Sequence, residues 1–160
     1  MARDKVPGTP AIRLLKQHKI KFTPRFYPYT EKGGTAAGAK ELQANEYQII
    51  KTLVLEDDQQ QPFIVLMHGS CEVSLKHLAR QLSVKQVTPC SEEKANRLTG
   101  YQVGGISPFG IRQPLAIYME ETIAALDKIL INGGRRGMLV EISPLDLQRV
   151  LKPTQVSVAN

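Results

Sequence analysis

The stretch Ile49-Ile50-Lys51-Thr52-Leu53-Val54-Leu55 predicts a buried β-strand, and it contains one residue that packing does not explain. Apolar and β-branched residues occupy both faces, which is typical of a strand at the centre of a sheet. Because side chains alternate between the faces, Lys51 shares its face with Ile49, Leu53 and Leu55. Burying an unpaired ammonium is costly. Either the Lys51 side chain extends out to water, or it faces a cavity that receives an anionic or carbonyl group.

Length and composition favour one globular domain. The 160 residues are 42% hydrophobic and 22% charged, which is the ordinary range for a chain that buries a core. No apolar run approaches the roughly 20 residues of a membrane span, and the N-terminus leads into no signal-type apolar core. We therefore expect a cytoplasmic protein that does not bind membranes. The expected boundaries are a flexible arm over residues 1–8, a single domain over 9–152 and a C-terminal tail over 153–160.

The distribution of cysteine and histidine argues against a metal site. Cys71 and Cys90 lack the C-x-x-C spacing, and the three histidines are scattered along the chain. We expect reduced cysteines and neither a metal nor another cofactor.

The formal net charge of +6 is moderate evidence for a polyanionic partner. The chain has no run of five or more Lys and Arg residues, and it has few aromatic residues on which bases could stack. A general binder of single-stranded nucleic acid is therefore poorly supported.

Helical and extended patterns alternate irregularly along the rest of the chain. Ser or Thr caps predict helix starts at Thr9, Ser74, Ser91 and Ser143, with Thr35 as a weaker candidate. Short helices are predicted over 36–42 and 122–126, and strands over 21–29, 63–67, 85–88, 115–119, 128–131 and 138–142. The strand over 63–67 is expected to pair with the Lys51 strand as an antiparallel hairpin. This mixture predicts an α+β or mixed α/β domain whose sheet is largely antiparallel.

Seven of the 12 glycines fall in two stretches, residues 100–110 and residues 132–137. Glycine allows positive φ and close approach of the backbone to a ligand, and free amides in such loops can hold an anion or a developing oxyanion. For Gly133 to Gly137, a plain hairpin turn with two solvated arginines is the favoured interpretation. For Gly104 to Pro108, a binding loop is at least as well supported, because a tight turn rarely needs two glycines, a serine and a proline.

Four segments together resemble the YbaK/EbsC family, in the order and spacing of that family. The segments are Thr9-Pro10-Ala11 with Leu14-Leu15, Lys51-Thr52-Leu53, Gly100-Tyr101-Gln102-Val103-Gly104-Gly105-Ile106-Ser107-Pro108-Phe109-Gly110, and Gly133-Gly134-Arg135-Arg136-Gly137. The resemblance covers residues 9–151. The family comprises free-standing relatives of the editing domain of prolyl-tRNA synthetase, which deacylate mischarged tRNA. The implied fold is a compact α+β domain with a mixed, mostly antiparallel, barrel-like sheet and surrounding helices.

The resemblance also implies the site residues. Lys51 matches the lysine that family members need for activity. The implied substrate-binding residues are Tyr27, Gly104, Gly105, Ile106, Ser107, Pro108, Asn132, Gly133 and Gly134. The chain departs from the known cysteinyl-tRNA(Pro) deacylases at Asn132, where serine is usual, at Leu139, where an acidic residue is usual, and at Met67-His68, which replaces a Thr-Pro pair. These departures leave the identity of the removed amino acid open.

The implied activity is trans-editing: removal of Cys, or of another small amino acid such as Ala, from tRNA, with tRNA(Pro) as the expected acceptor. The expected partners are the 3′ end of aminoacylated tRNA and prolyl-tRNA synthetase, and a monomer is the simplest state. The resemblance implies attack on the ester by water or by the thiol of the substrate. No Ser-His-Asp or Cys-His set is evident in the sequence, so nothing there requires a nucleophile from the protein. Ser107 as a nucleophile is a weaker alternative. A non-catalytic tRNA- or synthetase-binding module and a small-molecule (thio)ester hydrolase are the competing functions.

Overall fold

The computed structural model describes residues 5–160, in which eight β-strands form a single sheet and five α-helices pack around it. The helices are α1 (Pro10–Gln17), α2 (Gly34–Leu42), α3 (Leu75–Leu82), α4 (Glu92–Thr99) and α5 (Pro144–Leu151). The strands are β1 (Thr23–Phe26), β2 (Ile49–Asp57), β3 (Pro62–His68), β4 (Val87–Pro89), β5 (Ala116–Glu120), β6 (Ile129–Arg135), β7 (Met138–Ile142) and β8 (Thr154–Val156). Two 3₁₀ turns cover Glu46–Gln48 and Glu121–Ala125. None of the helices between residues 5 and 160 is long and apolar enough to cross a membrane.

The strand order is β1-β7-β6-β2-β3-β5-β8, an open path on which β4 pairs with β2. Strand β2 thus lies in the middle of the sheet, as its apolar faces predict. It forms the predicted antiparallel hairpin with β3 and pairs in parallel with β6. Four of the seven pairings are antiparallel and three are parallel. The predicted mixed α/β class with a mostly antiparallel sheet is confirmed.

Four of the five predicted helix caps are present, and the fifth prediction was wrong. The side chains of Thr9, Ser74, Ser91 and Ser143 each accept a hydrogen bond from an amide in the first turn of their helix. Helix α2 instead starts from Gly33, with no side-chain cap. The Thr35 hydroxyl lies inside this helix and donates to the carboxylate of Glu46 at 2.7 Å, so a tertiary contact takes the place of the cap.

The two faces of the sheet are covered differently. Helices α1, α4 and α5 pack on one face over the largest hydrophobic cluster, which includes Ile50 and Val54 of β2. On the other face, α3 covers one cluster with Val65 and Met67, and α2 covers another with Ile49 and Leu130. Lys51 belongs to this second face and lies between its two clusters. The gap between α2 and α3 therefore positions the lysine.

The prediction of a C-terminal tail over 153–160 was wrong. Strand β8 pairs in parallel with β5, and Val156 and Val158 are buried. The buried carboxylate of Glu120 accepts hydrogen bonds from the amides of Val158 (2.6 Å) and Ala159 (3.0 Å). The three-residue strand is too short for a sequence pattern to reveal, because its partner lies more than thirty residues away. The predicted N-terminal arm lies partly outside the described residues; residues 5–9 form neither helix nor strand.

Candidate active site

Lys51 lies in the middle of β2 with its side chain 19% exposed. Its Nζ donates a hydrogen bond to the carbonyl oxygen of Cys71 at 2.5 Å and lies 3.6 Å from a carboxylate oxygen of Glu72. Both partners belong to the loop between β3 and α3. The Glu72 side chain is 84% exposed, so solvent screens this ion pair and the carboxylate is easily displaced. The ammonium is therefore shielded from water but lacks a fixed counterion.

The strand registers place three further side chains in one row with Lys51. Met67 lies directly opposite Lys51 on β3, and the pairing of Ile50 with Ile131 brings Asn132 alongside Lys51 on β6. Asn132 in turn lies opposite Leu139 on β7. Residues opposite one another in a sheet project from the same face. Three of the positions at which this chain departs from the deacylase pattern therefore share the lysine's face.

His68, the fourth such position, lies elsewhere. It projects from the opposite face of β3 and is fully buried. Its ring stacks on Tyr47 at 3.7 Å between centroids, and its two nitrogens lie 2.7 Å from the Tyr47 carbonyl and the Thr122 hydroxyl. With both ring nitrogens engaged, His68 supports the fold and does not face Lys51.

Asn132 joins the two glycine-rich stretches. Its Oδ1 accepts hydrogen bonds from the amides of Gly134 (2.7 Å) and Arg135 (3.0 Å), and its Nδ2 donates to the carbonyl of Gly104 (3.2 Å). The first two bonds shape the irregular end of β6, where a bulge separates Asn132 from Arg135 in the register with β7. The third bond holds Gly104 next to the Lys51 row.

The two stretches also pack backbone against backbone. A Cβ on Gly105 would lie 2.7 Å from the amide nitrogen of Arg136 and 2.9 Å from the carbonyl carbon of Arg135. Only glycine permits this approach. The segment Gly133 to Gly137 is therefore a hairpin turn, the interpretation that the sequence favoured. Its tip packs against the loop that contains Gly105, so it is not surrounded by solvent alone.

Tyr29 lies against the same junction. Gly104 has a φ of +94°, and a Cβ there would collide with the Tyr29 hydroxyl. The guanidinium of Arg136 lies 5.0 Å above the Tyr29 ring, and its Nε donates to the Val103 carbonyl at 3.0 Å. Sequence reasoning did not select Tyr29, which lies in a Pro-flanked segment without a recognisable motif.

The residues of the Gly104 to Pro108 loop divide into an exposed end and a buried end. Gly104 is exposed, and its amide makes no hydrogen bond to the described part of the chain, whereas the Gly105 amide donates to the Gln102 carbonyl at 2.8 Å. Ile106, Ser107 and Pro108 are buried. Gly104 is thus the part of the loop that can present an amide to a ligand.

Ser107 has a structural role. Its side chain is fully buried, and its Oγ accepts a hydrogen bond from the Phe109 amide at 3.1 Å. A hydroxyl so enclosed is not placed to attack a substrate, which removes the geometric basis for Ser107 as a nucleophile.

Tyr27 is half-buried beneath α2. Its ring packs toward Gly38 and against the cluster that contains Ile49 and Leu139. Burial, with a smaller contribution from Tyr29, raises the pKa of the Tyr27 phenol, so that the hydroxyl is a neutral donor at physiological pH. Tyr27 therefore borders the Lys51 face, near Leu139.

The other predicted glycines support the hairpin. The carbonyl of Gly133 accepts a hydrogen bond from the Thr9 hydroxyl at 2.6 Å, which ties the start of α1 to β6. Gly134 has a φ of +97°, and a Cβ there would lie 2.8 Å from the Tyr101 ring. Gly105 and Gly134 line a cavity of about 380 Å³ together with Tyr101, Arg135 and Arg136. Lys51 does not line this cavity, which lies on the other side of the Gly104–Gly105 junction.

Sequence reasoning missed the direct partners of Lys51. Cys71 and Glu72 carry no motif, and they reach Lys51 only because the β2–β3 hairpin returns the chain to the same end of the sheet. Among residues 5–160, no group of three or more His, Cys, Asp or Glu side chains is arranged to hold a metal ion. The site thus contains the shielded ammonium of Lys51, the loop that carries the Gly104 amide, and the side chain of Asn132. Asn132 lies alongside Lys51 and donates a hydrogen bond to Gly104.

Comparisons with known proteins identify the family of this chain. The model of the aminoacyl-tRNA editing domain family matches residues 31–150. EbsC of Enterococcus faecalis, named as a candidate Cys-tRNA(Pro)/Cys-tRNA(Cys) deacylase, is 30% identical over 146 residues, which cover 90% of this chain and 89% of that protein. Proline–tRNA ligase of Brachyspira hyodysenteriae is 22% identical over 86 residues, which cover 54% of this chain and only 15% of the ligase.

Solved structures share the fold. The crystal structure of the hypothetical protein APE2540 superposes with a TM-score of 0.85 at 22% identity, covering 94% of this chain and 99% of the other. A second crystal structure, described as a candidate trans-editing enzyme for prolyl tRNA synthetase, gives a TM-score of 0.81 at 20% identity and covers 97% of this chain and 99% of that one. Because the family model spans most of the sequence and the EbsC similarity extends over nearly all of it, this chain belongs to the aminoacyl-tRNA editing domain family.

Proposed function

We propose that the protein is a trans-editing aminoacyl-tRNA deacylase that removes cysteine, or another small amino acid such as alanine, from mischarged tRNA(Pro). The observation that carries this proposal is the shielded ammonium of Lys51, which shares one face with Asn132, and the Nδ2 of Asn132 donates to the carbonyl of Gly104 and so ties the glycine loop to this face. A cation and an amide donor that face the same ester suit a carbonyl that develops negative charge. Membership of the family supports the same chemistry.

In the proposed mechanism, positioning supplies most of the catalysis. Lys51 anchors the ribose–phosphate end or the ester carbonyl of the 3′-terminal aminoacyl adenosine, and the Gly104 amide donates to the carbonyl oxygen as it becomes an oxyanion. Water attacks the carbonyl carbon, the bond from that carbon to the ribose oxygen breaks, and a proton passes to the ribose oxygen. Free amino acid and tRNA with a 3′-terminal hydroxyl result.

A cysteinyl ester has a second route. The thiol of the substrate attacks its own ester carbonyl, the thiol proton passes to the ribose oxygen, and a thiolactone leaves. Neither route requires a nucleophile from the protein, which agrees with the enclosed position of the Ser107 hydroxyl. In both, substrate displaces the exposed carboxylate of Glu72 from the ammonium of Lys51.

The side chains in one row with Lys51 affect which amino acid the protein removes from the tRNA. Met67 and Leu139 are apolar neighbours in that row. An apolar boundary favours a small uncharged side chain over a charged one. Editing of this kind supplies discrimination that a synthetase pocket lacks, because similar small amino acids differ by only about 1–3 kcal/mol in binding.

The test is deacylation of a panel of tRNA(Pro) charged with Cys, Ala, Ser, Thr and Pro, by the wild type, Lys51→Ala and a control, Lys85→Ala, which removes an exposed lysine outside the site. We expect turnover of the Cys or Ala ester by the wild type and the control, and a loss of at least a hundredfold in Lys51→Ala. Circular dichroism and thermal unfolding establish that Lys51→Ala is folded.

The competing functions give different results. Turnover at the spontaneous rate with tRNA binding intact would show a binding module. Equal turnover of free amino acid esters, without the steep salt dependence that phosphate contacts impose, would show a small-molecule hydrolase.

A further inference from the structure

We infer that the cavity on the far side of Gly105 is a phosphodiester-binding site that holds the single-stranded 3′ end of the tRNA just before its terminal adenosine. The inference rests on the proposed function. It assigns a role to the two arginines of the β6–β7 turn, for which the deacylation chemistry has no use. The cavity of about 380 Å³ accommodates a phosphate with part of its sugar, and none of its lining residues is acidic.

Two arginines line the cavity, and a third lies beside one of its lining residues. Arg135 and Arg136 line it directly, and both are exposed. Arg112 borders it through Gly100, because a Cβ on Gly100 would lie 3.5 Å from the Nε of Arg112. In the described part of the chain, none of the three takes part in an ion pair. Three guanidinium groups at or beside one concave site, none of them in an ion pair, create a positive potential that attracts a polyanion.

The arginines are held in position to different extents. Arg136 is fixed by its bond to the Val103 carbonyl and by its stacking on Tyr29. The backbone of Arg135 is fixed by Asn132, while its side chain is exposed and extends from the end of β6. A guanidinium presents a planar fork of donors that matches two phosphate oxygens.

The location relates this cavity to the ester site. Gly105 lines the cavity, and the preceding residue Gly104 faces the Lys51 row through Asn132. A nucleic acid chain whose terminal adenosine lies at Gly104 therefore continues past Gly105 toward the arginines. The phosphodiester that precedes the terminal adenosine is the group that reaches the cavity.

The experiment measures binding and does not depend on turnover. Fluorescence anisotropy gives the Kd of uncharged tRNA(Pro), and of the same tRNA without its last three nucleotides, at several salt concentrations. The variants are Arg112→Ala, Arg135→Ala and Arg135→Lys. The matched control is Lys128→Ala, which removes one exposed positive charge beside a different cavity.

We expect Arg112→Ala and Arg135→Ala each to weaken binding of the full-length tRNA by roughly three- to tenfold, and to reduce the slope of log Kd against log salt by about 1. Arg135→Lys should give an intermediate loss. With the shortened tRNA, wild type and variants should bind alike, since the group that occupies the cavity is missing.

Three results would overturn the inference: unchanged Kd and salt slope in both arginine variants, an equal loss in Lys128→Ala, or an equal loss with the shortened tRNA. The second would indicate a diffuse charge effect, and the third a contact with the acceptor stem. Failure of the proposed deacylase function appears separately, as absent turnover with these binding differences preserved.

Discussion

At the scale of single residues, Gly105 is constrained by the backbone of two neighbouring residues. Its Cα faces the backbone of the neighbouring hairpin, and a methyl group there would lie within 3 Å of both Arg135 and Arg136. The contacting atoms of Arg135 and Arg136 belong to the backbone. They can therefore move away from an added methyl group only if the whole turn moves. The separation between the loop and the hairpin is therefore set by the absence of a side chain.

Gly105→Ala is predicted to lower the free energy of unfolding by about 1–3 kcal/mol, the usual cost of overpacking, and to reduce deacylation because it displaces Gly104. Denaturant unfolding and a deacylation assay measure the two effects. Gly8→Ala is the matched control, since no atom lies within 4 Å of its added Cβ, and it should change stability by less than about 0.5 kcal/mol. Equal stability of the two variants would mean that the loop and the hairpin are not in close contact.

At the scale of elements, Tyr101 connects the glycine loop to helix α1. Its hydroxyl donates to the Phe109 carbonyl at 2.6 Å, and its side chain belongs to the same hydrophobic cluster as Ala11 in the first turn of the helix. Burial raises the pKa of this phenol to about 12, in spite of the opposing effects of the Ala11 amide and Arg13. The protonated form is therefore favoured in the folded state.

The raised pKa predicts a loss of stability in strong alkali. The stabilisation by neutral Tyr101 is fully present below the unfolded pKa of about 10 and is lost as the pH rises toward 12, because the unfolded chain releases its proton first. Thermal unfolding between pH 9 and 12 should show a steeper fall in Tm for the wild type than for Tyr101→Phe. The pKa of Tyr27 is also raised, so Tyr27→Phe serves as the comparison for a half-buried phenol. Parallel curves for the wild type and Tyr101→Phe would contradict the prediction.

At the scale of the whole molecule, the C-terminal segment supports the loop that contacts Lys51. The amide of Asn160 donates to the Glu72 carbonyl at 2.8 Å, and the Ser74 amide donates to the Val158 carbonyl at 2.8 Å. Strand β8 and the residues after it thus join β5 to the loop between β3 and α3. Residues 158–160 therefore help to position the Cys71 carbonyl and the Glu72 carboxylate next to the Lys51 ammonium.

Deleting residues 153–160 is predicted to lower the free energy of unfolding by about 3–6 kcal/mol, because two buried valines are lost at about 1.5–3 kcal/mol each. The deletion also leaves the Glu120 carboxylate without its amide donors. Chemical denaturation measures the loss. Should the deletion variant fail to fold, Val158→Ala isolates one valine and should cost about 1–3 kcal/mol, whereas exposed Gln155→Ala should cost less than about 0.5 kcal/mol. A deletion variant as stable as the full chain would mean that residues 153–160 do not stabilise the domain and form a tail.

The sequence by itself determined the features that depend on neighbouring residues. The central strand around Lys51, the four side-chain caps and the β2–β3 hairpin all follow from local hydrophobic patterns and cap chemistry, which act over a few residues. The distribution of glycine along the sequence indicated the two glycine-rich stretches, and the structure brings both stretches together at Asn132.

Only the tertiary structure decided which distant groups meet. The bond from Asn132 to Gly104 spans 28 residues, that from Lys51 to Cys71 spans 20, and that from Val158 to Glu120 spans 38. Such contacts depend on strand order and register, which local patterns do not specify. The same limit explains the missed strand β8 and the misplaced cap at Thr35, because in both cases a contact from a remote segment determined the local structure.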